Sequence, residues 1–344
     1  MLKYVLKRIG LALITTFIIL SLTFILMQLL PFSRPIGNEN AQYSYYNHQV
    51  YLGYIIDSPS AIANQSLLWS YKDPTGTMHF YYRIPIMQQY FTWLKNILFH
   101  WDWGTSVYYM PNVDAMSIIM SRLPTSMSLN IISVLISVPL GILLGIVAAL
   151  KKNKTTDNVI STLVMVFISI PSFVLITFLI LFFCYKLQWF PATWPSPSSP
   201  LKQRVLGYVI PVAALSFGSI CGYCRFTRAE LCEVMSSEYL LLARTKGLTK
   251  KQAITRHALR NAMVPIVPSI LAEFISILGG SMILETLYVI PGIGELFVVT
   301  LTAKDYNVLF VDMALFTSIS LLAGVLLDIS YGFIDPRIRM GAKK

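Results

Sequence analysis

The segment SSEYLLLARTKGLTKKQAITRHALRNAMVP, residues 236–265, is crowded with Lys and Arg, yet apolar runs long enough to cross a bilayer lie on both sides of it. Ser236 or Ser237 is placed to cap a first short helix running to Ala243, and Gly247 falls where a left-handed C-terminal cap would end it. Thr249 stands three residues before Gln252, the spacing of a capping box, and Ile254, His257, Ala258 and Asn261 recur on one face of a second helix. The segment therefore reads as helix, glycine turn, helix. Plain connections between helices run roughly two to eight residues, so a folded basic projection of this length suggests a docking element for a cytoplasmic partner. A basic amphipathic helix lying on anionic lipid is the competing reading.

Of 344 residues, 55% are hydrophobic and 12% charged, more apolar than a soluble domain of this length can hide. The net charge of +11 sits beside apolar runs rather than among aromatics on a polar domain, so membrane topology explains it and no nucleic-acid partner is expected. Cys184, Cys221, Cys224 and Cys232 are all absent from the long polar segment 31–111, which argues against a disulfide framework. Cys221 and Cys224 form a CxxC with no second pair or nearby His, and read as small apolar helix residues rather than a zinc site. The chain has no GxxxxGK[ST], HExxH or GxSxG, and GIG at 292–294 follows a proline instead of a strand. No catalytic residue, metal ligand or cofactor is expected, and the chain is not read as an enzyme.

Six apolar runs are candidate spans: 9–30, 127–150, 159–184, 206–223, 263–284 and 308–331. The first, behind Lys3, Lys7 and Arg8, covers about 33 Å at ~1.5 Å per residue and has no small-residue cleavage site after it, so it should remain as an anchor. Pro139 and Pro171 fall inside the second and third runs, where they should bend the helices rather than end them. With the N-terminus cytoplasmic, eighteen of the 27 Lys and Arg fall on the inner side, which places both termini in the cytoplasm. The long outer segment holds eleven of the nineteen tyrosines with Trp69, Trp93, Trp101 and Trp103, a density that fits a small folded cap or a membrane-surface belt. Val113, Met116, Ile119, Met120 and Leu123 suggest an amphipathic helix lying along the membrane before the second span.

The expected organisation is all-α and polytopic with six transmembrane helices. It comprises an N-terminal span (1–30), a large extracytoplasmic insertion (31–110), and a core (111–344) with five spans and the basic loop at 225–262. Glu273, Asp312 and Asp328 lie within spans, where an unpaired charge is expensive. For Asp328, near an end, a structural hydrogen bond is the simpler account; Glu273 and Asp312 are candidates for a translocation pathway. No internal repeat of the kind that inverted-repeat secondary transporters carry is found.

The string EYLLLARTKGLTKKQAITRHALRNAMVP closely resembles the EAA loop of ABC importer permeases of the oligopeptide/dipeptide/nickel family, at Glu238, Tyr239, Ala243, Arg244, Lys246, Gly247, Leu248, His257, Leu259, Arg260, Asn261, Ala262 and Pro265. The likeness continues through Glu285, Pro291, Gly292, Gly294, Asp305 and Tyr306, and again through Asp328, Tyr331, Asp335, Pro336, Arg337 and Arg339. The N-terminal span and WDWGTSVYYMPNV at 101–113 look like the B-type subunit of that family. Residues 31–35 read PFSRP where the family has PGDP, Thr245 replaces a common alanine, and Glu273 lies in a normally uncharged span.

The resemblance implies a type I importer permease in the cytoplasmic membrane of a bacterium. Its partners would be a homologous C-type permease, two ATP-binding subunits that hydrolyse ATP, and an extracytoplasmic solute-binding protein. It also implies that Glu238, Tyr239, Ala243, Arg244, Lys246, Gly247, His257, Arg260 and Asn261 couple to an ATPase. An oligopeptide or dipeptide is the expected substrate, because a pathway between two permeases can hold an extended backbone by polar contacts. Import of nickel or another small solute, and ion-coupled secondary transport, are the alternatives.

Overall fold

The computed structural model describes residues 2–30, 35, 37–62, 66–276 and 280–334. Residues 31–34, the motif residues Asp335, Pro336, Arg337 and Arg339, the cations Lys343 and Lys344, and the side chains of Lys3, Asp328 and Tyr331 lie outside the described residues. Helix α1 (Leu2–Gln28) leads to α2 (Glu39–Tyr51), strands β1 (Ile55–Ser58), β2 (Leu67–Lys72) and β3 (Met78–Arg83), and α3 (Ile86–Lys95). Then follow α4 (Ala115–Leu150), α5 (Thr155–Ile168), α6 (Ser172–Leu179), α7 (Leu201–Met235), α8 (Glu238–Thr245), α9 (Lys250–Ala253), α10 (Leu259–Ser276), α11 (Met282–Leu287), α12 (Ile293–Ala303) and α13 (Tyr306–Ile334). Contacts divide the chain into two compact units, Met1–Ile9, Leu123–Glu295 and Ile319–Lys344 in the first, Gly10–Arg122 and Leu296–Ser318 in the second.

Helices α1, α4, α7 and α13 are each long and apolar enough to cross a bilayer, and α5 with the helix after it makes a fifth candidate bent by 97°. The expected span at 263–284 is not one helix among the described residues, since α10 ends at Ser276 and α11 begins at Met282. Pro171 does more than bend its span. A proline offers no N–H and pushes the residue before it out of the helical region, so α5 stops at Ile168 and Pro171 becomes the N-cap of α6. Pro139 stays inside α4.

The amphipathic surface helix expected over 113–123 is also corrected. Helix α4 runs unbroken from Ala115 through Pro124 to Leu150, about 54 Å at ~1.5 Å per residue, so the stretch forms its first turns. Of the apolar stripe, Ile119 is buried while Val113 and Met120 are 40% and 49% exposed, so protein packing covers it only in part.

Within the first unit, Gly141 and Gly145 of α4 lie one turn apart against α7. A Cβ at Gly141 would come within 2.6 Å of the Tyr223 Cβ, and one at Gly145 within 2.6 Å of the Thr227 Cβ. These small residues let the two backbones approach closely, and Ser133 and Ser216 hydrogen-bond across the same pair at 3.0 Å. Cys221 and Cys224 on α7 pack with Val164 of α5 in an apolar cluster.

The second unit departs from an all-helical plan. Its three strands form an antiparallel sheet in the order β1-β3-β2, with Ile55 opposite Arg83 and Lys72 opposite Met78. Tyr46 of α2 stacks on Trp69 and on Tyr81, each at 5.0 Å, so the aromatic residues form a packed core under the sheet.

Candidate coupling site and the carboxylates that brace the fold

The basic loop folds by local chemistry that its sequence announces. Ser237 stands at the N-cap of α8, although its hydroxyl donates to the Val234 carbonyl instead of capping. Gly247 has φ +92°. Its N–H donates to the Arg244 carbonyl at 3.0 Å and the Leu248 N–H to the Ala243 carbonyl at 3.4 Å, the two bonds of a Schellman cap. The capping box closes as expected: the Gln252 N–H donates to Thr249 Oγ1 at 3.3 Å, and Gln252 Oε1 accepts from the Thr249 N–H at 3.0 Å.

From Lys250 the chain passes through a π turn, Ile254–Ala258, directly into α10, so the second helix of the projection and the following apolar helix are one continuous rod. Ala253, Ile254, Ala258 and Ala262 pack with Leu240 of α8, Leu231 of α7 and Ala149 of α4. His257 and Asn261, expected on that same face, are exposed. The wider i→i+5 turn carries the buried stripe in steps of four, which rotates positions 257 and 261 to the outside.

The outer face of α8 is apolar with a cationic margin. Tyr239, Leu241 and Leu242 are 40%, 62% and 56% exposed, and Glu238, Arg244, Lys246, Gly247 and Arg260 are exposed too. Ala243 is half-buried, one turn from buried Leu240. A hollow of about 210 Å³ between the two helices is lined by Leu240, Leu241, Arg244 and Lys250 among others.

Three buried carboxylates brace the surrounding structure. Asp157, 1% exposed near the start of α5, accepts from Arg228 Nε at 2.5 Å and Nη2 at 2.8 Å, from the Asn153 N–H and from the Ser161 hydroxyl. Arg228 is therefore a bidentate clamp between α5 and α7. Glu285 takes the Ser126 hydroxyl and the Ser281 N–H on Oε1 and the Gly294 and Glu295 N–H groups on Oε2, which seats a carboxylate on the N-terminus of α12. In the second unit, fully buried Asp305 accepts from the Ser106 hydroxyl at 2.6 Å and from the N–H groups of Val107, Tyr108 and Tyr109, folding the WDWGTSVYYMPNV block around one charge.

The two proposed pathway acids have different settings. Glu273 on α10 is half-buried and accepts a hydrogen bond from Ser219 of α7, while Asp312 on α13 has no exposed surface. Sequence reasoning did not assign roles to Glu285, Asp305 or Asp157. For Glu285 and Asp305 the one available signal was their position in a motif block that already resembled a family; Asp157 had none.

Residues 141–340 match the family described as binding-protein-dependent transport system inner membrane component. The chain is 34% identical to the dipeptide transport system permease protein DppB of Lactococcus lactis subsp. cremoris, covering 99% of this chain and all of that one. It is 33% identical to the oligopeptide transport system permease protein OppB of Salmonella typhimurium, covering 98% of this chain and all of that one. Among solved structures, a chain of the inward-facing MetNI methionine ABC transporter matches 64% of this chain and 97% of its own length, with a TM-score of 0.52 at 15% identity, a likeness of fold.

Proposed function

This chain belongs to the family of binding-protein-dependent transport system inner membrane components, and from that membership we propose that it is the B-type permease subunit of an ATP-driven peptide importer. It is a multi-pass membrane protein, and the hydrolysis of ATP falls to separate subunits. In the proposed complex it pairs with a C-type permease, receives substrate from an extracytoplasmic binding protein, and docks two ATPases between them, with its own termini on the cytoplasmic side. Permeases of dipeptides and oligopeptides are its full-length relatives, which supports a peptide as the cargo.

The observation that carries the coupling role is the continuity of the rod. Helix α8 rests on Leu231 of α7, Ala149 of α4 and the stripe from Ala253 to Ala262, and that stripe continues into α10. A displacement of α8 by an ATPase therefore moves α4, α7 and α10 as a packed body, since close-packed interfaces shift between discrete arrangements instead of deforming smoothly. Glu273 rides on that same rod facing Ser219, which makes it the better of the two candidates for contact with cargo. Arg244 and Lys246, exposed beside Tyr239 and Leu242, suit an acidic rim around an apolar groove on the ATPase.

A cysteine at Leu242 or Lys246, in the assembled complex, should crosslink to the ATPase subunit; adducts with phospholipid alone would overturn the docking assignment. Uptake of a labelled dipeptide should be competed by other short peptides and depend on ATP, whereas saturable nickel uptake indifferent to excess peptide would defeat the peptide reading.

A further inference from the structure

The second unit holds a cavity that transport does not account for. It has a volume of about 100 Å³ and is lined from α1, α2, the sheet, α3 and the start of α13. Its walls are aromatic: Trp93 stacks on Phe24 at 4.7 Å and meets Phe310 edge-on at 5.4 Å, and Trp103 lies 6.2 Å from Phe310.

Part of the polar lining consists of donors without partners. Gln49 Nε2 and the indole N–H groups of Trp93 and Trp103 are buried and meet no acceptor among the described residues, and Gln49 and Trp93 are only 6% and 5% exposed. Arg83, at the end of β3, also lines the cavity; it donates to the backbone and side-chain oxygens of Gln28 at 2.5 and 3.0 Å and has no carboxylate partner among the described residues. Burial draws the Arg83 pKa downward, as expected for a cation stripped of water without a counter-charge. No Asp or Glu is among the lining residues. Three unpartnered donors and a guanidinium thus belong to residues that line one space, and no carboxylate is among that lining.

We propose that this cavity binds the carboxylate end of an organic acid, with the oxygens accepting from Arg83, Gln49 and the two indoles and the adjoining carbons lying against Phe24 and Phe310. The volume far exceeds the roughly 10–15 Å³ that one water needs and approaches the ~150 Å³ that admits a benzene ring, so a carboxylate and a few carbons fit. A longer ligand leaves past Leu30, which lines the cavity and is 43% exposed. The C-terminus of a peptide and a membrane fatty acid present the same group. The site is independent of the coupling assignment, because its readout is binding and not uptake.

The test uses the full chain in its complex, purified in an uncharged maltoside detergent and titrated with N-acetylphenylalanine and with decanoate. Each acid is paired with its neutral counterpart, N-acetylphenylalanine amide or decanol. At least one acid should bind saturably, shift the tryptophan fluorescence, and bind about tenfold or more tightly than its counterpart, the difference a charge-assisted hydrogen bond supplies; the acid that does so identifies the source. Arg83→Gln should abolish that discrimination, and Trp93→Phe, which keeps the ring and deletes the N–H, should weaken the acid about fivefold. Equal binding of acids and neutral counterparts by the wild-type chain, or no binding of either, overturns the proposal without reference to any variant.

Discussion

Replacing Gly247 separates backbone geometry from surface contact in the proposed coupling loop. At φ +92° this position lies where a side chain strains the backbone, yet a Cβ there meets nothing within 4 Å. The whole penalty is therefore torsional, about 1–2 kcal/mol for an ordinary L residue, larger for a β-branched one and smaller for Asn. Losing the two cap bonds that Gly247 and Leu248 make adds about 1 kcal/mol each if the turn opens. For Gly247→Val the total is about 3–4 kcal/mol, or roughly 140- to 700-fold in the population of the docked arrangement, at about 1.4 kcal/mol per tenfold. Global stability should move little, because Leu240 is the one buried side chain of α8. The assay is peptide-stimulated ATP turnover in the reconstituted complex, titrated with ATPase subunits, alongside membrane insertion and thermal unfolding. The expected order is wild type, then Asn, then Ala, then Val, with insertion unchanged throughout. Wild-type coupling by the Val variant would refute the reasoning, and so would an Asn variant as impaired as Val, since bulk at the interface would then be the cause.

Asp305→Asn should destabilise the second unit by about 1–3 kcal/mol, because a neutral amide oxygen accepts the four bonds to Oδ2 more weakly than a carboxylate and its NH2 meets the Val107 N–H, and amide exchange at residues 106–109 should accelerate. Gly292→Ala would drive a Cβ into Glu285 and Ser126 and should cost about 1–3 kcal/mol, whereas Gly218→Ala, with open space around it inside α7, should be neutral or gain up to about 1 kcal/mol; unfolding midpoints in detergent distinguish them. Arg228→Ala leaves Asp157 buried without its cation and should cost about 3–5 kcal/mol, and adding Asp157→Asn should recover part of that loss in a double-mutant cycle.

The apolar runs and the helix, glycine turn, helix of the basic loop were legible from the chain because their codes are local. A bilayer-length helix satisfies its own backbone, and the Schellman and capping-box bonds join residues three to five positions apart. The same reasoning misplaced His257 and Asn261, because periodicity assumes an ideal α turn and the π segment is not one. It treated Pro139 and Pro171 alike, although one stays within α4 and the other stands where α5 has given way to α6. The short antiparallel sheet in the tyrosine-rich insertion gave too little alternation to be seen.

By itself, then, the sequence determined that this chain lives in a membrane, that it carries a folded basic elbow between apolar helices, and which family its motif blocks resemble. Tertiary structure alone decided what the buried charges do. Ser106 and Asp305 are 199 residues apart and Ser126 and Glu285 are 159 apart, and no local propensity links positions so distant. A carboxylate in an apolar interior must find hydrogen-bond donors or lose its charge, and only the packed chain shows which backbone amides come within its reach.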